Sequence, residues 1–123
     1  MLRVADMERT LQFYCGRLGM NVVMDRTDAD GYRNVFVAFT GGGARIEFGM
    51  RPSVRPNVAA GNGFDHIALE TPDVAAAVAR LRDEGVAIVR EVKRAQSGAL
   101  IALITDPDGY RIELIQPAEG TVG

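Results

Sequence analysis

Asp106-Pro107-Asp108-Gly109-Tyr110-Arg111-Ile112-Glu113-Leu114-Ile115 turns the chain and drives it straight into an apolar strand. Its first four residues are those of a type I turn, with Asp first, Pro second and Gly fourth. Ile112, Leu114 and Ile115 predict a buried strand, and Glu113 falls in its middle. Alternation puts Glu113 on one face with Arg111 and Ile115, and Ile112 and Leu114 on the other. A carboxylate among such neighbours costs free energy unless something positive compensates it. Arg111 is the local candidate, as Arg45 is for a second strand carboxylate, Glu47. The single histidine, His66, is another.

The rest of the chain reads as that stretch's surroundings, repeated. Leu2 to Val4 predicts a short strand, and Asp6 an N-cap for a helix with Met7, Leu11, Tyr14, Cys15 and Leu18 on one face. Gly19 stops the helix. Strands are expected over 21–25, 35–39 and 44–48, with a polar loop at 26–31 and a turn at Gly41-Gly42-Gly43. The order β-α-β-β-β then recurs. His66 to Leu69 predicts a strand, and Thr71-Pro72-Asp73 caps a helix with Val74, Ala77, Val78 and Leu81 inward. Gly85 ends that helix, and strands follow over 87–92, 100–104 and 110–115. Gly19 and Gly85 are 66 residues apart, and so are Arg45-Ile46-Glu47-Phe48 and Arg111-Ile112-Glu113-Leu114. A period that long indicates two paired half-modules rather than a solenoid. The reading is one domain with module 1 at about 1–50, a linker at about 51–63 and module 2 at about 64–117, followed by a frayed tail.

Composition removes several function classes. At 123 residues the chain has one domain's length. A formal net charge of −2 offers no basic field for nucleic acid, and no apolar run approaches the roughly 20 residues of a membrane span. Met1 to Asp6 lacks the regions of a signal peptide. One cysteine, Cys15, permits no intrachain disulfide, which suits the cytoplasm; its place in the helix predicts core packing.

Glu47, His66 and Glu113 are the residues for chemistry. Either glutamate alone could simply pair with its neighbouring arginine, and His66 alone could be a satisfied core histidine. Two carboxylates at equivalent repeat positions plus one imidazole instead suit a hard-to-borderline divalent metal, each ligand offsetting the others' burial cost.

The runs Met1-Leu2-Arg3-Val4, Phe13-Tyr14 with Leu18-Gly19-Met20, Ile46-Glu47, His66-Ile67-Ala68-Leu69 and Asp106 to Leu114 resemble glyoxalase I (lactoylglutathione lyase) of the vicinal oxygen chelate superfamily. The resemblance extends from residue 1 to about 117. It implies an α+β fold of two tandem βαβββ modules forming an incomplete barrel. It also implies a metal-dependent lyase that isomerises the hemithioacetal of methylglyoxal and glutathione to S-lactoylglutathione through an enediolate. Glu47, His66 and Glu113 fall on three of that family's four metal-ligand positions, for zinc or nickel. Glu113, and with it Glu47, falls on the carboxylates that do the catalysis, Glu113 being the expected base. Arg3 matches an arginine used on a glutathione carboxylate, and Arg51 is a second candidate for substrate binding. The family's first ligand is a His two residues before the Met-Leu-Arg-Val run. The coordination expected from residues 1–123 is therefore incomplete. The family implies a small-molecule substrate and a homodimer with the site at its interface.

Two departures open other readings. Glutathione-binding members carry an Asn-Trp pair soon after the first Glu, whereas this chain reads Phe48-Gly49-Met50-Arg51-Pro52 and has no Trp. Arg51, Arg55, Arg90, Lys93 and Arg94 are the cations available for a carboxylate-bearing substrate. The alternatives are a non-catalytic ligand-binding protein like the bleomycin-resistance members, or another metalloenzyme such as an epimerase. A Glu at 47 points away from dioxygenases and thiol transferases.

Overall fold

A computed structural model describes residues 1–57 and 63–120; the linker residues 58–62 and tail residues 121–123 lie outside the described residues. The chain divides into two compact units, Met1–Ala59 and Ala60–Gly123. In the first, β1 (Leu2–Arg3) is followed by α1 (Met7–Leu11), which continues as a π-helical stretch, Gln12–Arg17. Then come β2 (Asn21–Thr27), β3 (Arg33–Ala38) and β4 (Ile46–Met50). The second has β5 (Ile67–Glu70), α2 (Val74–Asp83), β6 (Ile88–Arg94), β7 (Leu100–Thr105) and β8 (Arg111–Gln116). Among the described residues each unit forms one open four-stranded sheet, ordered β1-β4-β3-β2 and β5-β8-β7-β6. In both, the first strand runs parallel to the last and the other pairs are antiparallel. These are the two tandem βαβββ modules that the period of 66 implies.

Each helix covers one face of its own sheet. Val35, Val37 and Phe48 are buried in the first unit, with the Tyr14 ring 4.6 Å from that of Phe48. Ala102, Ile104, Ile112 and Leu114 are buried in the second beside Val74, Val78 and Leu81 of α2. Both predicted caps form: Asp6 accepts from the Arg9 amide and Asp73 from the Ala76 amide. Gly19 and Gly85 take the positive φ values of 82° and 84° that end the helices. Ala77, expected inward, is half-buried.

The first helix corrects the sequence reading. Met7 and Tyr14 are buried as expected, but Leu11, Cys15 and Leu18 are only half-buried, and Thr10 and Phe13 take the inner face instead. For the residues beyond Leu11 the reason is the π-helical turn. The Leu18 amide bonds the Phe13 carbonyl five residues back, so a 3.6-residue period misplaces everything after Leu11. Partial burial pushes the Cys15 thiol up, making it a poor nucleophile near neutrality. Thr10 Oγ1 is buried with no hydrogen-bond partner among the described residues. Thr10→Val keeps the shape and removes the unmet hydroxyl, so it should raise stability by about 1 kcal/mol, read as an upward shift of the thermal midpoint.

The chain writes one turn twice. Thr27-Asp28-Ala29-Asp30-Gly31-Tyr32-Arg33 and Thr105-Asp106-Pro107-Asp108-Gly109-Tyr110-Arg111 differ at a single position. Asp28 Oδ1 accepts from the Asp30 and Tyr32 amides at 2.9 and 3.0 Å; Asp106 Oδ1 accepts from Asp108 and Tyr110 at 2.9 Å each. Gly31 and Gly109, at φ 81° and 96°, each donate to the carbonyl of the leading Asp. Thr27 faces Arg33 and Thr105 faces Arg111. The stretch from Arg26 to Gly31 is therefore not merely a polar loop: Arg26 and Thr27 belong to β2. The two copies lie 78 residues apart, out of step with the repeat of 66, so they serve different hairpins of their modules.

Arg33 closes the first hairpin over α1. Its Nε and Nη2 donate to both oxygens of Asp25, at 2.9 and 2.7 Å, and its Nη1 to Glu8 at 2.7 Å. These bonds hold the Asp25 carboxyl below the usual carboxylate range. A folded pKa below the unfolded value of about 3.9 means the stabilisation is whole above that pH and is lost as pH falls through the folded value. With Asp25 39% exposed, solvent screening leaves about 0.5 kcal/mol. Asp25→Asn should cost that much near neutrality and nothing in strong acid, as urea midpoints across pH would record.

Candidate active site

On β8, Glu113 stands opposite Leu103 of β7 and Ala68 of β5, on the face away from α2. Ile115 shares that face. His66, immediately before β5, brings its Nε2 to 3.7 Å from Glu113 Oε1. That is too long for a hydrogen bond. It is close to the roughly 3.4 Å between two atoms held tetrahedrally by one ion at about 2.1 Å. The imidazole's other nitrogen is fixed: Nδ1 lies 2.6 Å from Asp65 Oδ2. An ionised carboxylate can only accept, so Nδ1 carries the hydrogen and the Nε2 of a neutral ring turns its lone pair toward Glu113. The His66 contact holds the Asp65 carboxyl below its ordinary range, and the charges of Arg111 and Arg90 add to it. Carboxylate behind, histidine between and an open nitrogen in front is how metal-binding histidines are oriented. An imidazole nitrogen and a carboxylate are donor types that divalent cations take.

Glu47 lies in the first unit, on β4, facing Phe36 of β3. Asn34, also on β3, donates its side-chain amide to Glu47 Oε1 at 2.9 Å. Among the described residues no three His, Cys, Asp or Glu side chains gather closely enough to hold one ion. Of the three expected ligands, His66 and Glu113 are brought together and Glu47 is placed in the other unit. Neither glutamate takes the neighbouring arginine as its observed partner: Glu47 has Asn34 and Glu113 has His66. Sequence reading missed Asn34 and Asp65. Asp65 could have been found as a carboxylate adjacent to the only histidine; Asn34 could not, because it is 13 residues from Glu47.

Leu2 pairs with Phe48 as Leu69 pairs with Leu114, so β5 follows β1 by 67 residues.

The remaining expected residues lie around Gly49. Arg3 stands opposite it across β1 and β4. The Arg51 guanidinium lies 5.2 Å from the centre of the Tyr32 ring. A side chain at 49 would meet Met1 Sδ and the Tyr32 hydroxyl, so those side-chain ends would have to shift to admit one. In the second unit, Arg90 and Lys93 stand opposite Leu103 and Ile101, and Arg94 donates to the Gly98 carbonyl at 2.9 Å.

Residues 1–114 match the model of the Glyoxalase/Bleomycin resistance protein/Dioxygenase superfamily. The chain belongs to this superfamily. As a glyoxalase-superfamily chain it is 39% identical over 121 residues to a probable lactoylglutathione lyase of Synechocystis sp., an alignment covering 94% of this chain and 91% of that one. With the lactoylglutathione lyase of Salmonella typhimurium it shares 36% identity, covering 100% and 93%. Glyoxalase I from Zea mays superposes with a TM-score of 0.85 at 32% identity, over 95% of this chain and 43% of the maize chain. This glyoxalase-superfamily chain thus spans less than half of the maize protein.

Proposed function

We propose that this protein is a metal-dependent lyase of the glyoxalase I type, converting the hemithioacetal of methylglyoxal and glutathione to S-lactoylglutathione. The observation that carries this reading is the Asp65–His66–Glu113 array, in a chain 39% identical to a probable lactoylglutathione lyase. Glu47, His66 and Glu113 are the residues that would hold a divalent ion, nickel or zinc. When bound, such an ion supplies Lewis acidity toward the two oxygens of the substrate. Asp65 keeps His66 in the tautomer and orientation that ligation needs.

Glu113 is the base. Its carboxylate takes the proton from the carbon bearing sulfur and returns it to the neighbouring carbon, which turns hemithioacetal into hydroxy-thioester without net change in atoms. Arg3 and Arg51 would bind a carboxylate of the thiol, with Tyr32 steadying Arg51. The protein would act in the cytoplasm as a homodimer with the site at the interface. Among the described residues no helix is long and apolar enough to cross a membrane.

The test is metal content and hemithioacetal turnover of the purified protein. Binding of one divalent ion per site with turnover is expected, and failure to bind any divalent ion would discard the proposal. Asp65→Asn should weaken zinc binding about 10–100-fold, as titration calorimetry would register; unchanged affinity would remove Asp65 from its positioning role.

A further inference from the structure

The repeat gives the protein two glutamates at equivalent positions, 47 and 113, yet the lyase reading asks different things of them. Their immediate surroundings differ in polarity on the neighbouring strand. Glu47 faces Phe36, and Asn34 lies two residues further along β3, opposite Gly49. Glu113 faces Leu103, and the residue two further along β7, opposite Ile115, is Ile101. The position that carries an amide in the first unit therefore carries a branched alkyl chain in the second. Asn34 uses its amide: Nδ2 donates to Glu47 Oε1 at 2.9 Å, in a half-buried setting. A carboxylate so held is restricted in orientation, and its second oxygen takes no part in that bond. Glu113 stands among alkyl groups, with His66 Nε2 at 3.7 Å. Among the described residues no side-chain amide stands where Asn34 would, since residue 101 is an isoleucine.

We infer that Asn34 is a positioning residue that makes the two repeat-equivalent carboxylates unequal, fixing Glu47 as a stationary ligand and leaving proton movement to Glu113. A pinned carboxylate is preorganised for an ion, because little side-chain entropy remains to be lost on binding. It is a poor shuttle, because delivering a proton to a second carbon requires it to move. Asn34 acts through Glu47 and touches no reacting atom.

This rests on the lyase reading, so the experiment separates the two. Nickel affinity is measured by calorimetry for the wild type, for Asn34→Ile, which copies residue 101 into the first unit, and for Asn34→His, whose ring N–H can replace the amide donor. Hemithioacetal kcat and KM are measured at saturating nickel, with a thermal melt for each protein. Asn34→Ile should bind nickel about 10–100-fold more weakly, and Asn34→His should recover most of that loss. Both should melt near the wild type and, once saturated, keep kcat within a few-fold of it. Wild-type affinity in Asn34→Ile overturns the inference, as does an equal loss in Asn34→His. A kcat that collapses in saturated Asn34→Ile overturns it too, since Asn34 would then act on the chemical step rather than on ion binding. Wild type that binds nickel but turns over no hemithioacetal defeats the lyase reading alone, and the affinities still decide the role of Asn34. Wild type that binds no nickel defeats both.

Discussion

Glu113→Gln is expected to lower hemithioacetal turnover by about 10²–10⁴-fold while leaving the fold intact. The glutamine amide has the carboxylate's size and can still accept a hydrogen bond, so the strand pairing of Glu113 with Leu103 and Ala68 is undisturbed. It cannot take up a proton, and it is a weaker ligand for a cation. Those two deficits are separated by measuring bound metal beside the rate. A loss of kcat that persists at full metal occupancy assigns the proton transfer to Glu113. Retained kcat in metal-loaded Glu113→Gln would show that the base is another group.

The second large effect is structural. Asp106→Ala should destabilise the fold by about 2–4 kcal/mol, because the amides of Asp108 and Tyr110 lose their acceptor where water cannot replace it. Asp106 is only 5% exposed. Asp28 makes the same pair of bonds in an exposed turn, so Asp28→Ala should cost less than about 1 kcal/mol, since water can take over. Urea midpoints of the two variants test this directly. Equal losses would mean that burial is not what distinguishes the two copies.

That contrast separates what the chain's order specifies from what it does not. The turn was legible from Asp106-Pro107-Asp108-Gly109 because turn chemistry acts within four or five residues. Asp6, Asp73, Gly19 and Gly85 were legible for the same reason. The period of 66 needed no structure either, since it rests on residue identity alone. Local order did not reveal that the π-helical turn after Leu11 would move Phe13 inward, because helical periodicity assumes the ladder it is meant to detect. Nor did it reveal that β2 runs on to Thr27, since Arg26 and Thr27 are paired by β3 rather than by any apolar pattern of their own.

The candidate site divides in the same way. His66, Glu47 and Glu113 could be named from sequence because a histidine and two carboxylates in apolar strands need an explanation wherever the strands lie. Their partners could not. Arg45 and Arg111 are adjacent to the glutamates in sequence, but an alternation of two carries each pair along a strand rather than across the sheet. The partners come from across it: Asn34 from β3 to Glu47, and His66 from ahead of β5 to Glu113. The sequence by itself determined two modules, their turns and caps, and which residues carry chemistry, because those follow from short-range sterics and residue type. Only the tertiary structure decided which donor meets which carboxylate, because cross-strand register is set by the packing of a whole sheet against its helix.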